Sequence, residues 1–482
     1  MSLPAPSAFL SRRRIRRAGL PTPWPEHPLR QLVAWASDMD GFLANVRAGE
    51  AGAYTLDLWG HGLVAVFTSE EARRAVIQGS AEDFGHANDL AALFVGPSSL
   101  LLLDGEKHAA ARRRTMAVIS GDGLTAYGAT MASIADAWID GLPVGGTTLA
   151  LEGAQFMTLD VILQTVFGMQ PGLEYDALHR LAREFMEGAR GTGGNLATML
   201  LPAAMVRRLM LGPRGPDMAL LKEPLPLRFL GRTPGVREGR ELVERLMEQV
   251  RVRRAHLDDG GTDALARILR HADESGAPLG DAELVDELLM LLLGGHETTA
   301  VVLGWLLYRL AGQPDAWARA RAELDEAFGD GPLDARRAAR LPYLGAVVQE
   351  SLRLDGLTLG VMRRTRREVV IDGYTIPAGT LVNAQVRHVH LDPARFDDPL
   401  AFRPERLLGG ERLSPIDFAP FGGGYRRCVG AAFATFELST LTAAIVRRVE
   451  LRAPADLRVD RVQYGPFPGP SNAIPLEVLS RR

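Results

Sequence analysis

A mainly α-helical fold with small β-sheets is predicted by three features of the text. Six segments space their apolar residues three and four apart, as one buried helix face requires. Strand-like text is confined to five short runs. Gly and Pro punctuate the helical stretches, with no long linker and no internal repeat. In chain order, strands are expected at 53–58 and 63–67, and helices at 69–78, 125–140, 151–168, 236–258, 281–311 and 315–328. Strands at 368–371, 380–386 and near 474–479 complete the pattern.

The chain has 482 residues, 46% hydrophobic and 23% charged, enough apolar surface for a large core. That length suits roughly two to four ordinary domains or one large one. The lack of a linker favours one, over 31–482, preceded by a basic, Pro-rich arm over 1–30. In that arm Arg12, Arg13, Arg14, Arg16 and Arg17 follow a short apolar stretch, the reverse of a secretory signal. They read as solvated charges. Residues 212–235, rich in Pro and Gly, read as a mobile loop. The longest apolar run, Leu288 to Leu293, falls short of the roughly 20 residues a bilayer span needs, so no transmembrane anchor is expected. A net charge of −3 gives no field to recruit nucleic acid. Of the basic residues other than histidine, all but Lys107 and Lys222 are arginines. A single cysteine excludes an internal disulfide, a multi-thiolate zinc site and an iron–sulfur cluster.

That cysteine lies in Phe421-Gly422-Gly423-Gly424-Tyr425-Arg426-Arg427-Cys428-Val429-Gly430. The glycines permit a tight loop with inward amides, and a helix-forming stretch follows at once. Cys428 therefore sits near a helix N-terminus, which favours a thiolate. Gly430 leaves a surface a planar ligand can approach. A thiolate among glycines, beside arginines able to hold carboxylates, suits haem with Cys428 as axial ligand.

The full F-x-x-G-x-R-x-C-x-G match resembles the haem-binding loop of the cytochrome P-450 superfamily. Three more passages resemble that family in its order. Glu350-Ser351-Leu352-Arg353 resembles its E-x-x-R helix, with Glu350 and Arg353 one turn apart. Phe402-Arg403-Pro404-Glu405-Arg406-Leu407 resembles F-x-P-E-R-F, with Leu407 in place of the last Phe. The resemblance implies a structural Glu350–Arg353–Arg406 network. Gly294-Gly295-His296-Glu297-Thr298-Thr299 lies within the long helix, which Pro314 is expected to end. Paired glycines and threonines are poor helix interior and invite a local distortion, since a Thr hydroxyl can bond a carbonyl one turn back. This resembles the family's oxygen-binding groove, with Glu297 and Thr298 as its acid–alcohol pair.

Haem carboxylates need cationic partners if buried. By the family pattern His108, Arg112, Arg363 and Arg426 hold the propionates. Phe421, Gly424 and Gly430 shape the cofactor loop. Arg113, Arg114 and Arg364 read as solvated. Family segments place substrate walls at 84–100, 185–230, 354–362 and 464–472. They bring Phe94, Val95, Leu100, Leu101, Leu357, Leu359, Val361, Met362 and Phe467 to the pocket, and Gly294 of the long helix joins them. Where the family often carries prolines after E-x-x-R, the text is Asp355-Gly356-Leu357-Thr358, a departure that alters one wall.

Other motifs are incomplete. His296-Glu297-Thr298-Thr299-Ala300 lacks the second histidine of a zinc protease. His388-Val389-His390-Leu391-Asp392 lacks the last histidine of a metallo-hydrolase loop and reads as surface. Gly121-Asp122-Gly123-Leu124-Thr125-Ala126 has no strand before it to make a dinucleotide site.

The resemblance implies a P-450 fold, a long central helix over a buried haem b. The implied activity is a monooxygenase that puts one atom of O2 into a lipophilic fatty acid, terpenoid or polyketide, by C–H hydroxylation or alkene epoxidation, as in secondary metabolism. Thr298 would hold a proton-donating water, and Glu297 would relay protons from solvent. Electrons would come from NAD(P)H through a separate ferredoxin or flavodoxin with its reductase. A cytoplasmic, bacterial monomer is expected. A peroxide-driven enzyme, an isomerase or a non-catalytic haem sensor would also keep Cys428, but the first two could dispense with Glu297–Thr298.

Overall fold

Apolar stripes and capped ends set the helices of the computed structural model, which describes residues 19–21, 52–58, 62–88, 91, 95–119, 121–190, 236–256, 263–270, 278–409, 413–464 and 467–482. The N-terminal arginines, Phe94, the 212–235 loop and most of the 185–230 wall lie outside these residues. Helix α1 (Glu70–Gln78) begins where the Ser69 hydroxyl accepts from the Ala72 amide at 3.0 Å. Then come α2 (Gly105–Ile119), α3 (Asp122–Ala126) and α4 (Gly128–Asp140). The expected 125–140 helix is thus split at Tyr127. Helix α5 (Ala150–Val161) runs into a π turn at Ile162–Val166, where Thr165 donates to the Val161 carbonyl at 2.6 Å. Helices α6 (Leu173–Arg190), α7 (Val236–Ala255) and α8 (Ala264–Leu269) follow. The text had not singled out α6, although Leu178, Leu181, Ala182, Phe185 and Met186 form a buried stripe on it.

Helix α9 (Asp281–Ala311) matches the expected 281–311. Pro314 does not end it. Gly312 caps it, and Pro314 opens α10 (Pro314–Phe328), where the missing amide costs nothing. By length and composition α9 could cross a membrane, which the apolar-run reading had not indicated, but most of it is buried inside the fold. It forms the axis of the main core, against α5, α7, α12 and α14. The remaining helices are α11 (Ala335–Ala338), α12 (Pro342–Asp355), α13 (Arg387–His390) and α14 (Ala431–Arg448).

The strands are β1 (Ala53–Leu58), β2 (Gly62–Phe67), β3 (Phe84–Gly85), β4 (Thr147–Leu149), β5 (Gly360–Thr365) and β6 (Val369–Ile371). Beyond them lie β7 (Tyr374–Ile376), β8 (Leu381–Gln385), β9 (Val449–Arg452), β10 (Arg461–Tyr464), β11 (Phe467–Pro470) and β12 (Pro475–Arg481). The main sheet has order β1-β2-β8-β5-β3, with β2–β8 its parallel pair. A second core, with Phe67, Val76, Ile77, Val361 and Ile416, packs between this sheet and α1. Strand β12 joins β4 and β9, while β10 and β11 form a hairpin, as do β6 and β7. The expected strands at 53–58, 63–67, 368–371, 380–386 and 474–479 all fall on strands of the fold.

The His388–His390 stretch is not surface loop. It forms α13, whose Arg387 and His390 are buried, because Arg353 donates to the His390 carbonyl at 2.5 Å. The Gly121 turn lies between helices α2 and α3, with no strand leading into it.

Candidate active site

The Cys428 loop is wrapped onto α1. Gly424 has φ +64°, and a Cβ there would strike the Ile77 carbonyl, so only glycine fits. The Cys428 amide donates to the Phe421 carbonyl at 2.9 Å and closes the turn. Gly430 caps α14, which begins at Ala431, and its amide faces the Cys428 sulfur. Cys428 keeps accessible surface, although its thiol is largely desolvated. Burial pushes the thiol pKa up, against the Gly430 amide, Arg427 and Arg112, which pull it down. The helix terminus therefore does not by itself secure a thiolate. A bound metal cation reverses that balance.

Four cationic or ionisable side chains from three elements gather beside this loop. His108 and Arg112 come from one face of α2, Arg363 from β5 and Arg426 from the loop itself. Tyr425 is the hub of three of them. Its ring meets His108 edge-on at 5.9 Å and carries the guanidiniums of Arg363 and Arg426 at 5.7 and 5.6 Å. Its hydroxyl donates to the Phe84 carbonyl at 2.7 Å. Burial, then Arg426 and Arg112, push His108 down to about 4, so it stays neutral among cations at pH 7. Burial lowers Arg363 to about 10, which leaves it charged.

Strand alternation decides between Arg363 and Arg364. Arg363 is buried with Val361 and Thr365, and donates to the Gly423 carbonyl at 2.9 Å. Arg364 points the other way and donates to the Gly379 carbonyl at 3.2 Å. The same alternation separates Val361 from Met362. Val361 shares the Arg363 face, near Gly422, whereas Met362 packs on the Tyr54–Leu56 cluster across the sheet. The two cannot line one wall, which corrects the expected grouping. Arg426 is not a free anchor either: it pairs with Asp104 and donates to the Leu103 carbonyl. Arg112 donates to the Arg427 carbonyl at 2.5 Å. Arg114, expected to be solvated, pairs with the buried Glu287 at 3.4 Å.

The cluster fits a dianionic cofactor. Arg363 Nε and Arg426 Nε are buried and find no acceptor among the described residues. Buried guanidinium N–H groups without acceptors call for an anion. With the exposed residue Cys428 in the same loop, they suit haem carboxylates and iron.

On α9 the residues from Leu284 to Leu293 are all buried, but Gly294 is exposed and Thr298 half-buried, one turn apart. The Thr298 hydroxyl donates to the Gly294 carbonyl at 2.6 Å. The helix is not interrupted there. Room comes from the missing side chain, since nothing lies within 4 Å of where a Gly294 Cβ would stand. Glu297 is 1% exposed and turns toward α5, where Gln155 donates to it at 3.2 Å. His296 lies 3.6 Å from Glu297 and 2.9 Å from the Thr158 hydroxyl. Ile162 of the π turn packs against Gly295.

Glu350, Arg353 and Arg406 meet in one buried knot. Arg353 donates twice to Glu350, at 2.8 Å each, and Arg406 donates to it at 3.0 Å. The Arg403 amide adds a bond at 3.0 Å. Asp355, in the departure from the proline pattern, accepts from Arg309 at 2.9 and 3.0 Å and from Arg461 at 3.2 Å. This ties α12 to α9 and to the β10–β11 hairpin that carries Phe467. Among the other expected wall residues, Val95 is buried, while Leu101, Leu357, Leu359 and Phe467 are half-buried.

Tyr425, Asp104 and Asp355 escaped the sequence reading, because their partners are remote in the chain. So did Glu437 of α14, fully buried against Thr299 of α9, whose carboxyl pKa burial pushes well up.

A helical shell around one accessible cysteine, with a cationic cluster at its side, defines a haem-thiolate protein class. The chain matches the Cytochrome P450 family over residues 21–464 and belongs to it. It is 33% identical over 413 residues to putative cytochrome P450 135B1 of Mycobacterium tuberculosis, covering 85% of this chain and 81% of that one. It is 30% identical over 443 residues to cytochrome P450 88A1 of Zea mays, covering 89% and 79%. In fold it is similar to the heme domain of cytochrome P450DA, with TM-score 0.79, 22% identity and coverage of 96% and 97%. It is also similar to retinoic acid bound cyanobacterial CYP120A1, with TM-score 0.74, 23% identity and coverage of 92% and 95%. Family membership carries haem with a cysteine thiolate ligand and monooxygenase chemistry in general.

Proposed function

We propose that this protein inserts one atom of O2 into a lipophilic small molecule, a fatty acid, terpenoid or polyketide, giving an alcohol or an epoxide. The observation that carries this reading is the chain's only cysteine, an exposed residue beside buried guanidinium N–H groups that lack acceptors among the described residues. Haem held there by the Cys428 thiolate would supply oxygen activation. Arg363, His108, Arg112 and Arg426 would hold its carboxylates, and Arg426 also steadies the loop through Asp104.

The chain's own residues then order substrate and protons. Gly294 leaves space for a small molecule beside Thr298. The Thr298 hydroxyl bonds the Gly294 carbonyl, which leaves its oxygen lone pairs to accept from a water donor. Glu297, held by Gln155, receives protons from the α5 side and passes them toward that water. Val95, Leu100, Leu101, Leu357, Val361 and Phe467 form an apolar enclosure that admits lipophilic molecules and excludes bulk water. Electrons come from NAD(P)H through a separate ferredoxin or flavodoxin and its reductase. The protein works as a cytoplasmic bacterial monomer.

Two measurements test this. The reduced carbon monoxide complex of the haem-loaded protein is expected to show the red-shifted band of a thiolate ligand, lost in Cys428→Ala. Folded, haem-loaded protein without that band overturns the reading. With a surrogate ferredoxin and reductase, Thr298→Ala is expected to consume NAD(P)H while making less product and more peroxide. Unchanged coupling would remove Thr298 from its assigned role.

A further inference from the structure

Residues 95–104, which lead into α2, are fastened at two points, and the two fasteners differ. At their C-terminal end, Arg426 of the cysteine loop holds the Leu103 carbonyl and Asp104. Earlier in this stretch, at Ser98, the fastener is Asp286, a carboxylate of α9 that is 4% exposed. Its Oδ2 accepts from the Ser98 amide at 3.0 Å. A Cβ at Gly96 would overlap this carboxylate, so the loop backbone lies directly against it. Within the loop, the Ser99 amide donates to the Gly96 carbonyl at 3.1 Å, and the Leu102 amide to the Ser99 carbonyl at 2.9 Å. These bonds make the fastened turn one hydrogen-bonded unit that carries Val95, Leu100 and Leu101. The neighbouring acid, Glu287, accepts from Thr115 at 2.9 Å and pairs with Arg114, fixing α2 to the same helix.

Asp286 stands eight residues before Gly294, about 12 Å along the axis at a helical rise. The loop is thus indexed to the very helix that carries the open Gly294–Thr298 face, roughly two turns away. We infer that Asp286 is a specificity-positioning residue: its carboxylate latches the 95–103 turn onto α9 and so sets how bulky a molecule reaches that face. A charged acceptor buried against a backbone amide is a strong single fastener. Asparagine retains one acceptor oxygen and alanine none. The inference rests on the proposed haem site lying beside Gly294 and Thr298.

The test uses the full haem-loaded chain and its Asp286→Ala, Asp286→Asn and Gly96→Ala variants. Amide hydrogen exchange over residues 95–103 reads the latch. Difference spectra with imidazole and with the much larger clotrimazole read access. In Asp286→Ala, exchange is expected to speed up by about tenfold or more, the scale of one lost charged hydrogen bond. The clotrimazole-to-imidazole affinity ratio is expected to move by about fivefold or more in the same variant, with Asp286→Asn keeping most of the wild-type value. The reduced carbon monoxide band stays where it is in wild type. Unchanged exchange in Asp286→Ala overturns the latch. Faster exchange with an unchanged ratio overturns the role in specificity. If Asp286→Ala does not fold, Gly96→Ala, which displaces the carboxylate, must move the ratio or the inference fails. Wild-type protein without a thiolate band would defeat the proposed function. Normal azole binding unmoved by the variants defeats only this inference.

Discussion

Arg363 and Arg364 are adjacent in sequence and opposite in consequence, because a strand sends neighbours to opposite faces. Only Arg363 is buried with His108, Tyr425 and Arg426. Arg363→Ala is expected to speed haem transfer to apomyoglobin by about tenfold or more, the worth of one buried charged hydrogen bond. Arg364→Ala should leave that rate within about twofold, as surface changes do. His390 offers a second test. Buried against Phe418 and near the charges of Arg353 and Arg387, it is pushed down to about 3. A histidine depressed in the fold must be protonated on unfolding below its ordinary range. Stability from this group is therefore complete above about pH 6.5 and falls as pH drops toward 3, by at most about 1.4 kcal/mol per unit. His390→Gln is expected to flatten that limb of an acid denaturation curve. At this scale the text revealed the residues with a motif around them, Cys428, Glu350 and Arg353 among them. It did not reveal Tyr425 as the hub, Asp104 as the partner of Arg426, or Asp286. Each acts through a contact more than a hundred residues away.

Helices were legible where an apolar stripe and a cap coincided. The span of α9 could be read to the residue, since polar Asp281 and Glu283 open it and Gly312 closes it. Its interior departs from the expectation. Paired glycines suggested a distorted helix, yet backbone bonding carries through, and the space is simply a side chain left out at Gly294. The role of Pro314 was likewise inverted, because proline suits a first turn as well as it breaks a later one. Between elements, the Glu350 knot fastens α12 to the 397–406 segment: Arg406 also donates to the Asp397 and Asp398 carbonyls, at 2.6 and 3.1 Å. Glu350→Gln leaves Arg353 fully buried with its counter-charge gone. A loss of about 3–5 kcal/mol is expected, read as a lower urea midpoint and poor haem incorporation. Adding Arg353→Met should recover part of that loss, since the stranded cation is its source.

Across the molecule, the last strand does more than its position suggests. Strand β12 sits between β4 and β9, and Leu476 and Val478 are 0% and 1% exposed. Ending the chain at residue 474 would uncover both neighbours, and such a truncation is expected to give insoluble protein without a haem band. The lone sulfur has a different kind of consequence for the whole chain. A polypeptide with one thiol has one place where an alkylating reagent can add mass. Once iron occupies that sulfur, labelling is blocked, so the labelled fraction of a sample counts the molecules that have lost their cofactor. Oxidation of those molecules can cross-link them only to one another. A covalent dimer on a non-reducing gel would therefore be a ledger of empty copies.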